Sequence, residues 1–242
     1  MANHVLLNNV DHKDLRIITE RSARYGDNVR FGLTFSWEFR NVQACYPIVF
    51  SKNPESGSFT ALAMFGFEEG ENLFLDEDGW NASYIPMTLE TKPFLIGLQK
   101  SAGDGTSDVE PVVHIDMDNP RISDSEGEPV FLPHGGISEY LESINSKLHT
   151  IHNGFAGDQE FLSAMTEHDL LESFVLDVEL NDGSQNRLSG FHTINEDRLR
   201  GLDGAALASL NEKGLLLPVY MAIASLTNLR TLIDRRNALL GT

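Results

Sequence analysis

The most specific chemical signal in the sequence is the tripeptide His114-Ile115-Asp116. Alternate residues of a strand share a face, so the two polar side chains would point into one pocket. This spacing is typical of two ligands of a 2-His-1-carboxylate iron site, which keeps positions open for oxygen and a co-substrate. His192 is the best-placed third ligand. The hypothesis is then a non-haem oxygenase that uses Fe(II) with 2-oxoglutarate, or another metal enzyme.

The same tripeptide has an ordinary interpretation, in which His114 is a strand residue and Asp116 caps the turn that follows it. The oxygenase hypothesis also needs an arginine to bind the oxoacid, and the candidates are Arg121 and Arg187. Both interpretations stay open on the sequence alone.

Other reaction classes find little support in the sequence. The acidic run Asp76-Glu77-Asp78-Gly79 lacks the later glutamate that an EF-hand calcium loop needs, so it favours a solvated turn. The sequence contains no Gly-x-Ser-x-Gly elbow and no glycine-rich nucleotide motif. Cys45 is the only cysteine, which excludes an internal disulfide and a cysteine-rich zinc site.

The charge of the chain restricts its partners. Its 242 residues carry 36 acidic and 18 basic side chains, a formal net charge of −18. Such a chain repels phosphate backbones and anionic lipid, so nucleic acid and membranes are not expected partners. The longest apolar runs are broken well short of the ~20 residues that a membrane span needs. No secretory signal is visible at the start, and we therefore expect a soluble cytoplasmic protein.

The elements that position these residues change in character near residue 135. The earlier part has short apolar and β-branched runs separated by turn residues. A β-hairpin is predicted from the apolar runs 46–50 and 59–65, with its turn at Asn53-Pro54-Glu55-Ser56-Gly57. Further short strands are predicted, at 29–35, 72–75, 83–85, 94–99, 112–117 and 130–132. Residues 103–108 are predicted to form an exposed loop.

The later part is mostly helical. Apolar residues from Ile137 to Phe155 follow helical spacing, with Gly154 and Gly157 marking the predicted end and Asp158 capping a second helix. A hairpin near 173–193 is predicted around Asn181-Asp182-Gly183. Asn195 and Asp203 are predicted N-caps of two short helices, and a final helix is predicted to start near Pro218.

These patterns predict an α+β fold. A mostly antiparallel, β-rich part over 1–135 would pack with a helical part over 136–242 that contains the hairpin, as two domains or one continuous domain.

Several segments together resemble one protein family. They are His12-Lys-Asp14-Leu15-Arg16-Ile17, Tyr46-Pro47-Ile48-Val49-Phe50, Gly70-Glu71-Asn72-Leu73-Phe74, Gly79-Trp80, Tyr84-Ile85-Pro86, Pro93-Phe94, Ile115-Asp116, Glu126-Gly127-Glu128-Pro129, Asp182-Gly183, Ile194-Asn195-Glu196, Leu202-Asp203 and Leu226-x-Asn228-Leu229. On these segments the chain resembles the SapC-like proteins, a bacterial family named for a surface-layer gene context. The resemblance covers nearly the whole chain.

The resemblance implies no settled enzymatic activity. Genes of this family often occur beside tryptophan-halogenase-like flavoproteins, prolyl-hydroxylase-like or cupin-like oxygenases and TonB-dependent receptors. These neighbouring genes imply a role in handling a peptide or an uptake-related substrate. Asp116 belongs to the family pattern and His114 does not, which moves the expected site away from the iron triad.

The expected ligand-binding residues are therefore polar and aromatic members of the family pattern: Glu71, Asn72, Trp80, Tyr84, Asp116 and Glu126. In this hypothesis the aromatic rings supply contact area and the carboxylates select a basic or amine-bearing group. The same residues serve equally well as determinants of turns and packing. We expect an accessory or binding protein without catalysis or cofactor of its own. Its partner would be a small peptide, an amino-acid-like ligand, or a flavoprotein or oxygenase.

Overall fold

A computed structural model describes residues 3–100 and 109–241 of the chain. The strands, in chain order, are β1 (His4–Leu6), β2 (Arg16–Ile17), β3 (Phe31–Leu33), β4 (Ile48–Lys52), β5 (Phe59–Met64), β6 (Leu75–Asp76), β7 (Gly79–Trp80), β8 (Phe94–Lys100), β9 (Val109–Asp116), β10 (Ile122–Ser123), β11 (Glu128–Pro129), β12 (Leu171–Glu179) and β13 (Gln185–Ile194). The α-helices are α1 (Phe39–Val42), α2 (Met87–Glu90), α3 (Glu139–Glu167), α4 (Glu196–Arg200), α5 (Gly204–Glu212), α6 (Leu216–Ser225) and α7 (Asn228–Leu240). The α+β class predicted from the sequence is confirmed. The loop predicted at 103–108 lies outside the described residues.

The chain divides into two compact units, each built from two separate segments. Unit 1 comprises Met1–Asp27 and Met87–Asn153, and unit 2 comprises Asn28–Pro86 and Gly154–Thr242. This division differs from the single boundary near residue 135 that the change in sequence character suggested. Composition follows local structure, whereas a compact unit is defined by contacts between segments that are distant in the chain.

Unit 1 contains two three-stranded sheets, with strand orders β1-β9-β8 and β10-β2-β11. The first half of α3 lays its apolar face on the inner face of the β8–β9 pair, as the helical spacing predicts. The shared core is formed by Leu15, Ile17, Phe94, Ile115, Val130, Phe131, Leu141, Ile144 and Leu148.

Unit 2 contains a five-stranded sheet of order β12-β13-β4-β5-β3 and the small β6–β7 ribbon. The predicted hairpin is confirmed as β4 and β5, with Ile48 opposite Ala63, and the second hairpin as β12 and β13. Aromatic rings fill the core, where Phe39 and Phe161 meet edge to face with centroids 5.7 Å apart.

Helix α3 differs from the prediction of two helices separated by Gly154 and Gly157. It continues through both glycines for 29 residues, and its first half belongs to unit 1 and its second half to unit 2. Gly154 is kept inside the helix because Trp37 packs where a side chain would stand. The prediction of a helix end at these two glycines was therefore wrong. Trp37 takes the space at Gly154, and a single glycine costs a helix only about 1 kcal/mol, which the rest of a long helix tolerates.

The end of the chain also differs from the prediction. Asn195 and Asp203 are N-caps as predicted, accepting hydrogen bonds from the amides of Arg198 and Ala206. The single final helix expected near Pro218 is instead two helices, α6 and α7. An 18-residue window within residues 216–240 has a mean hydropathy of 1.4, so this stretch is long and apolar enough to cross a membrane, by length and composition only. The core helices of soluble proteins pass the same test, so this stretch is only weak evidence for a membrane span.

Candidate anion-binding site

The most polar buried arrangement in unit 1 is built around Asp27. Its carboxylate is held between two arginines, with Arg121 Nη2 at 2.5 Å and Arg21 Nη1 at 3.3 Å. The backbone amide of Ser22 donates a third hydrogen bond to it, at 2.9 Å. Asp27 and Arg121 are each only 2% exposed, so this pair is removed from water. Buried charges of opposite sign that also share hydrogen bonds hold each other in a fixed geometry.

Local turn chemistry brings Asp27 into this position. A 3-10 helix over Ala23–Tyr25 ends at Gly26, which adopts the left-handed conformation with φ 81°. The chain then returns toward Ser22, whose carbonyl accepts a hydrogen bond from the Asp27 amide at 3.3 Å. Glycine suits this position because its φ is positive.

The two arginines reach the carboxylate from opposite segments of unit 1. Arg121 follows a turn in which Asn119 Oδ1 accepts its backbone amide, and its Nη1 donates to the carbonyls of Ile18 and Glu20 at 2.8 and 2.7 Å. Arg21 donates from Nη1 to the carbonyl of Leu89, at the end of α2, at 3.1 Å. Backbone carbonyls therefore aim both guanidinium groups.

Lys92 and Tyr140 complete what we call the Asp27 cluster, together with Arg21, Asp27 and Arg121. Burial lowers the pKa of Lys92, with Asp27 opposing that shift and the two arginines adding to it. Burial raises the pKa of Tyr140 to about 12; the same two arginines oppose this shift and Glu128 adds to it. Among the described residues, neither the Lys92 ammonium nor the Tyr140 hydroxyl has a hydrogen-bond or ion-pair partner. Both groups are therefore available to a ligand.

The cluster has a surplus of positive charge within an acidic chain. Three cations surround the single carboxylate of Asp27, and Glu90, which also acts on Arg21, is paired with Lys147 at 3.2 Å. Glu128 acts on Tyr140 and is a third carboxylate near the cluster. Counting these groups, four cations and three carboxylates leave a surplus of one positive charge. A half-buried surplus of this kind attracts an anion. The free donors on Arg21, Lys92 and Tyr140 are of the types that bind carboxylate oxygens.

The residues of the iron hypothesis have other surroundings. His114 lies over Gly97 of the neighbouring strand, and Asp116 Oδ1 accepts the backbone amides of Asn3 and Asp118 at 3.0 and 3.2 Å. His192 belongs to unit 2 and packs edge-on against the Phe59 ring. In the part of the chain that the structure describes, which includes all three proposed ligands, no three His, Cys, Asp or Glu side chains group to hold a metal ion.

Two of the expected ligand-binding residues meet in one hydrogen-bonded chain inside unit 2. The Trp80 indole donates to the Tyr46 hydroxyl at 2.7 Å, and that hydroxyl donates to the Tyr84 carbonyl. The Tyr84 hydroxyl donates to Glu38 Oε1 at 2.6 Å, while Thr34 Oγ1 donates to the other oxygen at 2.8 Å. Tyr46 and the nearly inaccessible Glu38 were not among the ligand-binding residues expected from the sequence. The polar atoms of both expected rings are therefore engaged within the unit.

Glu71 also has partners inside unit 2. One of its oxygens accepts the backbone amide of Phe67 at 2.7 Å, and the other pairs with Arg236 of α7. The Glu71 side chain is only 12% exposed. Glu71 thus closes a turn and ties it to the last helix.

The remaining expected residues lie at turns. Asn72 Oδ1 accepts the backbone amide two residues further on, at 3.0 Å, and is buried. Glu126 is exposed in the turn before β11, where its backbone amide donates to Ser123 Oγ at 3.0 Å. Asp116 and Glu126 belong to unit 1, whereas Glu71, Asn72, Trp80 and Tyr84 belong to unit 2.

A family model described as SapC matches residues 7–232, which is nearly the whole chain. The chain belongs to the SapC family. The resemblance read from the sequence segments is confirmed by this match. No curated protein and no solved structure matches the chain. The SapC match includes every member of the Asp27 cluster and residues of both units.

Sequence reasoning missed most of this cluster because its members are far apart in the chain. Arg121 was named only as a possible partner of an oxoacid in the iron hypothesis, and Arg21, Asp27, Lys92 and Tyr140 belong to no local motif. One signal was present in the SapC-like segments. The segment 12–17 lies shortly before Arg21, and Pro93-Phe94 directly follows Lys92. Two family segments therefore adjoin cluster residues without including them.

Proposed function

We propose that this SapC-family protein is a binding protein without catalysis of its own, and that it holds a peptide or amino-acid-like ligand by a carboxylate. The observation that carries the proposal is the pair of half-buried, unpartnered donors on Lys92 and Tyr140, beside a surplus of positive charge. The choice of a peptide or amino acid as the ligand class rests on the neighbouring genes that the family resemblance implies.

The division of tasks within the Asp27 cluster supports a carboxylate as the bound group. Asp27 and Arg121 satisfy each other and form the fixed base of the site. Arg21 uses Nη1 for Asp27 and for Leu89, and its other nitrogens have no partner among the described residues. A carboxylate has two oxygens with about four lone-pair sites, so it can accept from Arg21, Lys92 and Tyr140 together.

Binding an anion also relieves an electrostatic cost in the free protein. The two guanidinium groups and the Lys92 ammonium disfavour one another, and burial lowers the pKa of both Arg21 and Lys92. A ligand carboxylate near these groups would favour their charged forms. Ligand binding should therefore be accompanied by proton uptake wherever Lys92 is partly neutral.

The experiment is a calorimetric titration with N-acetylglycine, compared with the uncharged N-acetylglycinamide. The tested variant is Lys92→Met, which keeps the length of the stem and removes the ammonium. The matched control is Lys13→Met, the same change at a 69% exposed lysine of the same unit. A charge-assisted hydrogen bond contributes about 1.5–3 kcal/mol, so Lys92→Met should weaken binding by roughly ten- to 100-fold.

The outcomes separate the alternatives. Binding of N-acetylglycine by the wild type and by Lys13→Met, its loss in Lys92→Met, and no binding of the amide support the proposal. Equal binding of the acid and the amide, or unchanged binding in Lys92→Met, contradicts it. A third titration uses inorganic phosphate: if phosphate binds and N-acetylglycine does not, the site recognises an anion of a different class and the peptide assignment is wrong.

A further inference from the structure

A small pocket in unit 1 lies between the β8–β9 hairpin and α3. Its volume is about 130 Å³, and Ile96, Val113 and Leu148 supply apolar walls. His149 and His152 line it from exposed positions on α3. The His149 ring is oriented by Asn153, whose Nδ2 lies 2.7 Å from its Nε2. The pocket is therefore an apolar cleft with two imidazole rings at its lining.

Asn145 is the polar residue that distinguishes this pocket from a packing defect. Its side chain lines the pocket, and its Oδ1 is buried with no hydrogen-bond partner in the described part of the chain. Burying an amide oxygen without a partner is costly, which is a reason why nearly all such groups are satisfied in folded proteins. An orphaned acceptor at a pocket wall is the feature that a ligand with a hydrogen-bond donor would satisfy.

The position of Asn145 in the helix explains why the pocket stays open. Leu141, Ile144 and Leu148 form the buried stripe of α3, and Asn145 lies beside that stripe. A leucine at 145 would extend the stripe over Ile96 and Val113. The shorter asparagine leaves that volume open, with its unpartnered Oδ1 buried in the residue that lines it.

We propose that this pocket binds a phenol-sized aromatic group whose hydroxyl donates a hydrogen bond to Asn145 Oδ1. An enclosed apolar cavity of ~150 Å³ holds a benzene ring in another protein. This pocket is slightly smaller, at about 130 Å³, but it is open to one side, so it can take a single six-membered ring. The walls are apolar and suit the ring, and the orphaned acceptor suits the hydroxyl. A tyrosine-like side chain has this chemistry. The proposal is independent of the carboxylate site, because phenol has no carboxylate and the Asp27 cluster contributes no residue to this pocket.

The test compares phenol with toluene, which has a methyl group in place of the hydroxyl and cannot donate. Dissociation constants are measured by NMR titration of the full chain. The hydrogen bond to an otherwise unsatisfied acceptor should make phenol bind about tenfold more tightly than toluene. Asn145→Leu fills the pocket and removes the acceptor, so it should abolish phenol binding.

The control is Thr150→Leu, which adds the same apolar side chain at an exposed position of α3 that does not line the pocket. It should bind phenol as the wild type does. The proposal is overturned if the wild type does not bind phenol up to its solubility, if toluene binds as tightly as phenol, or if Asn145→Leu binds phenol unchanged. If Asn145→Leu does not fold, the comparison of phenol with toluene on the wild type still decides. Failure here leaves the N-acetylglycine result unaffected, so the two proposals fail separately.

Discussion

Gly154 of α3 lies directly against the indole ring of Trp37, so that a methyl group added to this glycine would stand 2.2 Å from the indole nitrogen. That distance is far below van der Waals contact. Gly157, three residues further along the same helix, has no heavy atom within 4 Å of the corresponding position. A neighbouring side chain therefore requires glycine at position 154, whereas no neighbour requires it at position 157 of the same helix.

The first prediction is that alanine has opposite effects at these two positions. Gly157→Ala should stabilise unit 2 by up to about 1 kcal/mol, because alanine is the better helix former and meets no neighbour. Gly154→Ala should destabilise it by about 1–3 kcal/mol, because the indole must move. The measurement is guanidinium unfolding followed by circular dichroism. A stabilising Gly154→Ala would show that Trp37 does not occupy this space.

This pair also shows which parts of the fold could be predicted. The hairpin turn Asn181-Asp182-Gly183 and the caps Asn195 and Asp203 were found because the chemistry that specifies them lies within four residues. The length of α3 was not found, because the reason for Gly154 is a ring more than 100 positions away in the chain. Gly157 lies inside the same helix although no residue approaches it, so a glycine in a helical pattern does not by itself indicate an end.

The candidate site illustrates the same limit. Arg121 and Asp27 form a buried pair although they are 94 positions apart, and no spacing rule connects them. Trp80 and Tyr84 could be singled out as polar and aromatic members of a pattern. Their hydrogen bonds to Tyr46 and Glu38 could not, since the partners belong to other segments. Sequence patterns identify residues suited to a site, and the tertiary fold decides which of their atoms remain free.

The second prediction concerns the base of the Asp27 cluster. Asp27→Asn keeps the shape and removes the charge, which leaves the 2% exposed Arg121 guanidinium without a counter-ion. Breaking a buried ion pair on one side costs about 3–5 kcal/mol. Urea unfolding should show this loss, whereas Asp14→Asn, at a 79% exposed partner of Lys13, should change stability by less than about 0.5 kcal/mol. Equal effects of the two substitutions would contradict the buried pairing.

The third prediction compares the two tryptophans. The Trp80 indole donates to Tyr46, whereas the Trp37 indole nitrogen is buried with no partner in the described residues. Trp80→Phe should therefore be more destabilising than Trp37→Phe, by about 1 kcal/mol, since only the first loses a hydrogen bond. For a chain of this length that difference corresponds to about 2–4 °C in Tm. The reverse order in a thermal melt would contradict the assigned partners.

The fourth prediction concerns pH and Asp158. This carboxylate is 4% exposed and accepts the backbone amide of Ser36 at 2.7 Å. Burial raises its pKa above the ordinary value of 3.8, and the hydrogen bonds from Ser36 oppose that shift. Between the two pKa values the folded state binds more protons than the unfolded state, so this group reduces stability as the pH rises through that interval. The reduction persists at neutral pH.

Asp158→Asn keeps an oxygen for the Ser36 amide and removes the ionisation. It should therefore be more stable than the wild type at pH 7, and the difference should disappear below pH 3.8. Asp182 offers a control of opposite sign, because hydrogen bonds from Ser184 lower the pKa of its exposed carboxylate. Asp182→Asn should be less stable than the wild type at pH 7, with the difference again lost as the pH falls below the lowered pKa. Urea unfolding of the three proteins at pH 7 measures both differences. A measurement at pH 3.5 tests the disappearance for Asp158→Asn, and a series continued to lower pH tests it for Asp182→Asn. A loss of stability in Asp158→Asn at pH 7 would mean that the ionised carboxylate contributes more through Ser36 than burial costs it.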